Sequence, residues 1–268
     1  LDTVGPMAKT VEDIAILMEV MAGKDEKDAT GVPDPVPAYS KELQIDIKKL
    51  KVGVPKEYFE TEGMDDETKQ IIEKQIQKIQ SAGATIQEVS LPHTKYAIPV
   101  YYIVVPSEDS SNLARLDGIR YGVRKDAENL YDTYAKSRAI GFPEEVKRRI
   151  MIGTYALSAG YYDAYYRKAQ KVSTLIIQDF VNAFEEVDVL ITPVSPYPAF
   201  GIGEKAHDVL AMDLADVMMA PASLAGIPGI SIPAGKTASG LPTGMQIMGP
   251  RLAESKLLAA AYSIANLT

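Results

Sequence analysis

The spacing of apolar residues along the start of the chain is first helical and then irregular. Residues 10–22 repeat apolar positions at helical spacing, Thr10 favours a helix start and Gly23 a stop, so an amphipathic helix is predicted there. Its buried face is predicted to contain Val11, Ile14, Ala15, Leu17, Met18 and Met21. Residues 24–50 are rich in proline, glycine and charge, which is typical of a surface crossing.

A β-α-β unit is predicted next. Residues 51–55 and 85–89 are short apolar runs typical of buried strands, and residues 65–83 between them have helical periodicity. The inward side of this helix is predicted to contain Ile71, Ile72, Ile76 and Ile79. Because a helix connects the two strands, we expect them to be parallel, with a right-handed crossover.

The rest of the chain alternates helices, loops and strands. The predicted elements are mixed helix and loop over 96–160, a long helix over 161–184, a buried strand over 187–192, a loop over 194–205, a helix over 212–224, strands over 229–233 and 243–248, and a closing helix over 253–267. This alternation predicts an α/β fold in which helices flank a mixed β-sheet. We assign residues 1–268 to part of a single domain.

Composition narrows the class of protein. The 268 residues, 46% of them hydrophobic, can bury a substantial core. The absence of cysteine excludes disulfides and thiolate catalysis and favours the reducing cytoplasm. A net charge of -8 without a long basic stripe argues against this chain as the main nucleic-acid contact, and no apolar run approaches the ~20 residues of a membrane-spanning helix. Since the chain opens on Leu1 without an initiator methionine, we expect it to be the C-terminal portion of a longer protein.

Familiar catalytic motifs do not emerge from the sequence. We find no P-loop, dinucleotide fingerprint, nucleophile elbow or paired-carboxylate motif in a fitting context. His93 and His207 are far apart, which disfavours a histidine metal site or a Ser-His-Asp triad and favours solvated or satisfied side chains. The doublet Ser110-Ser111 has no nearby lysine or histidine base, so a cap or turn role is favoured. We therefore expect no metal site in this chain, and the motifs by themselves identify no catalytic residue.

Two charged residues share a helix face with apolar or small neighbours. Arg149 lies at helical spacing from Gly153, whereas Arg148 lies over Glu145 and is expected to pair with it in solvent. Asp216 is in line with Met212, Met219 and Ala220, where an ionised carboxylate needs a cation.

Two interpretations of this pair remain open. In one, Arg149 and Asp216 form a structural ion pair. In the other, both face a pocket, where Arg149 binds the α-carboxylate of a zwitterion bidentately and Asp216 binds its α-ammonium. The tyrosines, among them Tyr101 and Tyr102, would add amphipathic rings to such a pocket, although a core role is the more usual one for each.

Several motifs resemble those of amidase-signature enzymes. The opening LDTVGPMAKTVED is similar to the segment that follows the catalytic core of that family, and LAGIPGISIPAG at 224–235 with GLPTGMQIMG at 240–249 resembles its closing strands. Between them, SSNLARLDGIRYG at 110–122, EVKRRI at 145–150 and YYDAYY at 161–166 are similar to one branch, the A subunits of glutamyl-tRNA(Gln) and aspartyl-tRNA(Asn) amidotransferases. The resemblance extends over the whole chain.

The resemblance implies a function for the complete protein. Members of this branch hydrolyse glutamine, and a partner subunit uses the ammonia to amidate an ATP-activated, mischarged aminoacyl-tRNA. The family's glutamine pocket falls on Tyr101, Arg149 and Asp216. The B and C subunits of the amidotransferase are the implied partners, with ATP and Mg used by a partner, no cofactor in this chain and tRNA held only indirectly.

The resemblance also implies what this chain lacks. The family's nucleophilic serine, the neighbouring cis-serine, the base lysine and the oxyanion segment all precede its first residue. The chain alone is therefore expected to be an inactive recognition half. A general amidase with another substrate, or a non-catalytic binding or scaffold module, are the competing interpretations.

Overall fold

The described residues form two compact units. The structure is a computed structural model that describes Leu1, residues 3–204 and residues 215–267. The first unit, here called the sheet unit, combines Leu1–Lys95 with Ile176–Thr268, and the second, the helical unit, is Tyr96–Leu175. The single-domain assignment stays a prediction. None of the helices in the described part of the chain has the length and apolar character needed to cross a membrane.

A mixed sheet forms the centre of the sheet unit. Its order is β2-β1-β3-β5-β4; β1 pairs in parallel with β2 and β3, whereas β5 is antiparallel to β3 and β4. The strands are β1 Lys51–Pro55, β2 Thr85–Val89, β3 Val189–Pro193, β4 Gly229–Lys236 and β5 Pro242–Met248. The predicted α/β class and mixed sheet are thus confirmed, as is the parallel β1–β2 pair.

Helices surround the strands in the sheet unit and make up the regular structure of the helical unit. They are α1 Val11–Met21, α2 Lys56–Phe59, α3 Asp66–Ser81, α4 Ala97–Asn112, α5 Leu130–Gly141, α6 Glu144–Ala156, α7 Tyr166–Glu186, α8 Ala220–Ala225 and α9 Glu254–Ala265. Short 3-10 turns occur at Tyr39–Lys41, Ile47–Lys49, Thr94–Tyr96 and Leu113–Arg115.

The core of the sheet unit lies between the sheet and α1, α3 and α9. One continuous apolar cluster joins strand residues such as Val52 and Ile247 to Ile72 of α3 and Ile264 of α9, all at most 2% exposed. Strand β3 is buried along its whole length, as expected for the middle strand of a sheet covered by helices. The prediction for α3 holds best at Ile72 and Ile79, which are fully buried, while Ile71 and Ile76 are half-buried.

Helix α1 departs from its predicted face. Thr10 caps it by accepting a hydrogen bond from the amide of Asp13, at 3.1 Å, and Val11 and Ala15 are buried as predicted. Leu17 and Met21, however, are 40% and 43% exposed, so their predicted burial was wrong. At about 100° per residue, Leu17 is turned by roughly 120° from Val11, and only a narrower stripe of the helix reaches the core.

The helical unit is more continuous at its start than its sequence indicates. Helix α4 runs through the tyrosine pair and Ser110-Ser111 although Pro106 lies inside it. The hydroxyl of Ser107 donates to the Ile103 carbonyl at 2.6 Å, next to the position where proline has no N–H to give. The predicted long helix over 161–184 begins only at Tyr166, because residues 161–165 form turns.

Candidate functional site

The packing of α4 on α6 determines where two of the predicted site residues lie. A Cβ atom built on Gly153 of α6 would lie 1.8 Å from the carbonyl oxygen of Pro106 on α4. No side chain fits there, so the two helices touch backbone to backbone. This contact fixes the α6 face that carries Arg149 relative to the α4 segment that carries Tyr101.

Arg149 is held by a glutamate one helical turn earlier. Its Nε lies 2.9 Å from Oε1 of Glu145, while Arg148 contacts both carboxylate oxygens of Glu145 at 2.7 Å. The side chain of Glu145 is 51% exposed and that of Arg149 33%. Since such exposed pairs are weak, Glu145 orients the guanidinium but does not prevent it from binding another anion. The expected pairing of Arg148 with Glu145 is confirmed.

Glu145 and Arg149 are both ionised at neutral pH. The hydrogen bond from Arg148, followed by that from Arg149, lowers the pKa of Glu145 to about 2. Burial alone would lower the pKa of Arg149, but Glu145 and then the phenols of Tyr102 and Tyr101 outweigh it and raise the pKa above its ordinary value. Arg149 is therefore a permanent cation.

Both tyrosines of the pair lie near enough to Arg149 to help raise its pKa. The rings of Tyr101 and Tyr102 meet edge to face with centroids 5.4 Å apart, and both are half-buried. Within the described residues, Glu145 reaches Arg149 only through Nε, which leaves the terminal nitrogens for a ligand. A guanidinium beside two phenols can bind a carboxylate bidentately while the rings cover its apolar part.

Asp216 lies in the sheet unit, in a turn before α8. Its carbonyl accepts hydrogen bonds from the amides of Met219 and Ala220, at 3.0 and 2.9 Å, and its side chain is half-buried. The amide of Gln246 on β5 donates to the Met218 carbonyl and to the Thr192 hydroxyl, each at 3.3 Å. Gln246 thereby ties this turn to strand β3.

The structure thus brings Tyr101 and Arg149 together within one unit and places Asp216 in the other. Both the zwitterion clamp and the Arg149–Asp216 ion pair stay predictions. Met212, part of the apolar line predicted with Asp216, lies outside the described residues, as does His207. His93 is a satisfied side chain, since its Nδ1 and backbone amide contact the carboxylate of Asp179 at 2.9 and 2.8 Å. No cluster of three potential metal ligands occurs in the residues for which coordinates are described.

Sequence reasoning missed the roles that three residues have in shaping this region. Gly153 reads as an ordinary small residue on α6, and only the α4 contact reveals its role. Gln246 was not singled out, because β5 is buried on both faces and shows no alternation to set one polar residue apart. The contact of Glu145 with Arg149 was readable from its spacing of four residues.

The sequence of this chain matches that of a known protein family. The sequence profile of the Amidase family matches residues 1–258. The chain belongs to the amidase family. That match covers nearly all of the sheet unit and the whole helical unit.

Amidase-family relatives with a stated function are similar along almost all of this chain. The A subunit of glutamyl-tRNA(Gln) amidotransferase from Parvibaculum lavamentivorans is 56% identical over 264 residues, which is 98% of this chain and 54% of the relative. The protein of the same name from Geotalea daltonii is 55% identical over 269 residues, 100% of this chain and 55% of the relative. The chain therefore spans about half the length of the curated relatives it matches.

Solved structures of amidase-family proteins share the fold. The A subunit of glutamyl-tRNA(Gln) amidotransferase from Thermotoga maritima superimposes with a TM-score of 0.76 at 38% identity, over 97% of this chain and 51% of that one. A bacterial aryl acylamidase of the amidase-signature family gives 0.75 at 20% identity, over 98% of this chain and 52% of that one. The second likeness concerns the fold alone.

Proposed function

We propose that this chain is the C-terminal part of the glutamine-hydrolysing A subunit of a glutamyl-tRNA(Gln) amidotransferase. Identity of 56% along nearly the whole chain to a protein of that name supports the proposal. The observation that carries it is the Arg149 guanidinium, which lies beside Tyr101 and Tyr102 and has terminal nitrogens available for a carboxylate. The chain would supply the recognition half of the glutamine pocket.

In this proposal the two ends of glutamine are recognised by opposite charges. Arg149 binds the α-carboxylate with two parallel hydrogen bonds, which match the fork of a guanidinium. Asp216 accepts hydrogen bonds from the α-ammonium, and Gln246 holds the turn that carries it. Tyr101 covers the apolar part of the bound amino acid. The side-chain amide then projects toward the catalytic groups.

The chemical step would require residues outside this chain. The complete protein would use a serine nucleophile, which glutamine acylates, with a bridging serine and a lysine moving protons and backbone amides stabilising the oxyanion. The released ammonia would pass to the B subunit, which together with the C subunit completes the complex, binds ATP and Mg, and holds the tRNA. The complex would work in the cytoplasm, and the chain by itself would release no ammonia from glutamine.

The test is calorimetric titration of L-glutamine into the purified chain and into Arg149→Ala and Asp216→Ala. Arg148→Ala is the matched control, because Arg148 shares Glu145 with Arg149. We expect both site variants to lose binding and the control to keep it. L-Glutaminamide, which lacks the carboxylate, should bind equally weakly to the wild type and to Arg149→Ala. N-acetylglutamine, which lacks the ammonium, should do the same for Asp216→Ala.

Other outcomes would favour the competing functions. The aryl acylamidase shares the fold at 20% identity, so the fold alone does not select the substrate. Equal binding of glutamine to the wild type and to both site variants would contradict the clamp and favour an amidase with an uncharged substrate. A folded chain that binds none of these amides would mean that the pocket needs its catalytic half, or that Arg149 and Asp216 form a structural ion pair.

A further inference from the structure

Three tyrosines form an exposed aromatic cluster in the helical unit. Tyr155 lies in the last turn of α6, and Tyr161 and Tyr165 lie in the turns that lead to α7. Their exposed fractions are 51%, 40% and 43%. The ring centroids are 4.2 Å apart for Tyr155 and Tyr161, 5.8 Å for Tyr161 and Tyr165, and 6.2 Å for Tyr155 and Tyr165. Each ring therefore has two others nearby and is open to a reagent in solvent.

Tyr155 and Tyr161 have the closest rings of the cluster. A centroid distance of 4.2 Å and an interplanar angle of 30° bring the two rings into contact through their faces, whereas many aromatic pairs meet edge to face. A hydrogen bond with the hydroxyl of Tyr161 raises the pKa of Tyr155 to about 12. Because the two hydroxyls meet, the ring carbons next to them, which are the ortho carbons, also lie side by side.

The composition of the chain makes tyrosine the main target of a one-electron oxidant. Indole rings and thiolates compete with phenols for such oxidants, and the sequence has neither tryptophan nor cysteine, against 15 tyrosines. A phenoxyl radical formed on an exposed ring therefore meets no thiol in its own chain that would reduce it. The radical lasts until it couples with a second one.

Ring geometry distinguishes Tyr155 and Tyr161 from other tyrosines of the helical unit. Tyr131 is 80% exposed but makes no ring contact within the part of the chain that the structure describes, so a radical there couples with a second molecule instead. Tyr101 and Tyr102 are neighbours, but they are half-buried and meet edge to face with centroids 5.4 Å apart. Coupling within one chain is therefore expected where two exposed rings touch through their faces.

We propose that Tyr155 and Tyr161 form an oxidative cross-linking site, at which a one-electron oxidant such as a haem peroxidase with hydrogen peroxide joins the two rings. Each phenol loses one electron and one proton, the two phenoxyl radicals form a carbon–carbon bond between ortho carbons, and the hydrogen on each of these carbons moves to the phenoxyl oxygen. Hydrogen peroxide takes up the two electrons and two protons and becomes two molecules of water. The product keeps both hydroxyls and covalently closes the turn between α6 and α7. This site uses neither Arg149 nor Asp216 and so goes beyond the proposed function.

The test is treatment of the dilute purified chain with a peroxidase and hydrogen peroxide, followed by isolation of the monomer and digestion with trypsin. Trypsin cuts after Arg149 and Arg167, so the peptide 150–167 contains the whole cluster. We expect this peptide to lose the mass of two hydrogen atoms, to gain the fluorescence of dityrosine, and to give no fragment ions from breaks between residues 155 and 161. Tyr155→Phe and Tyr161→Phe should each abolish this product, because a phenylalanine ring forms no phenoxyl radical.

Tyr165→Phe is the matched control, because the Tyr165 ring lies 5.8 and 6.2 Å from the rings of Tyr161 and Tyr155. It should keep the cross-link between the other two. An oxidised monomer whose peptide 150–167 keeps its original mass overturns the proposal, and so does a cross-link at residue 155 that survives Tyr161→Phe. Asp216→Ala, which removes one end of the proposed glutamine clamp, should form the cross-link as the wild type does. The outcome is thereby separated from that of the glutamine titration.

Discussion

The sheet unit and the helical unit differ in charge and in how their elements meet. The helical unit contains twelve Lys and Arg against nine Asp and Glu, a net +3, so the sheet unit accounts for -11 within the total of -8. In the sheet unit, apolar side chains from strands and helices fill one core. In the helical unit, α4 and α6 touch through backbone at Gly153. Side chains in the core of the sheet unit can shift to accommodate an added atom, whereas the backbone atoms at the α4–α6 contact cannot.

Replacing a tightly packed glycine by alanine should therefore cost more stability in the helical unit than in the sheet unit. Gly153→Ala places a methyl group against the Pro106 carbonyl, and we expect a loss of about 3 kcal/mol, the upper end of overpacking costs. Hydrogen exchange should show α4 and α6 losing protection while the strands keep theirs.

Gly160→Ala is the control for this experiment, because a Cβ there meets nothing within 4 Å. We expect it to change stability by no more than about 0.5 kcal/mol. Wild-type protection of α4 and α6 in Gly153→Ala would show that the helices do not depend on this close approach.

A matching glycine in the sheet unit should be less sensitive. A Cβ on Gly53 of β1 would lie 2.6 Å from Cδ2 of Leu190 and 2.9 Å from Cγ2 of Val187, both of them side-chain atoms. Gly53→Ala should therefore cost about 1.5 kcal/mol, as side chains shift to make room. Urea unfolding followed by circular dichroism measures this. A loss greater than that of Gly153→Ala would reverse the comparison between the units.

The smallest effect should come from the charged surface of the helical unit. Because the folded-state pKa of Glu145, about 2, is below its ordinary 4.5, its contribution is present above pH 4.5 and lost as the pH falls toward 2. Glu145→Gln should cost no more than about 0.5 kcal/mol near neutral pH, since the pair is half exposed. Thermal unfolding of both proteins should show this difference shrinking between pH 6 and pH 3.

Glu144→Gln is the control, because Glu144 shares the first turn of α6 but makes no ion pair among the described side chains. Near neutral pH it should lower the melting temperature less than Glu145→Gln does, because it removes no ion pair. A pH profile identical for the two variants would mean that the arginines do not stabilise ionised Glu145.

Much of the sheet unit was predictable because its strands are short, apolar and bounded by turns. Strands β1 and β2 begin and end where the pattern places them, and α9 lies within its predicted span. Strand β3 instead includes Pro193, and β4 extends to Lys236, because pairing with a neighbouring strand decides where a strand ends. Burial on α1 was overestimated, since a helical period shows which residues share a face and not how wide the contact is.

The candidate site was less readable. Local spacing predicts that Arg148 and Glu145 meet, because three residues along a helix suffice to bring them together. The closeness of Tyr101, Tyr102 and Arg149 depends on the packing of two helices that are separated in sequence by a loop and by α5. The position of the turn that contains Asp216 depends on a hydrogen bond from Gln246, more than twenty residues later. Spacing by itself singled out Arg149 and Asp216 but left a structural ion pair equally open, and the family resemblance added Tyr101 and implied the pocket.

The strand order has a consequence for how the chain is made. Strands β1 and β2 leave the ribosome before the helical unit, but β3, the second neighbour of β1, follows only after the whole helical unit has been synthesised. Until then one edge of β1 has no strand to pair with, because its partner lies more than a hundred residues downstream. That edge and the apolar face of β1 stay exposed in the meantime. Because β3 is synthesised late, completing the sheet requires contacts between residues far apart in sequence. The helical unit can therefore fold first, and the sheet is completed last.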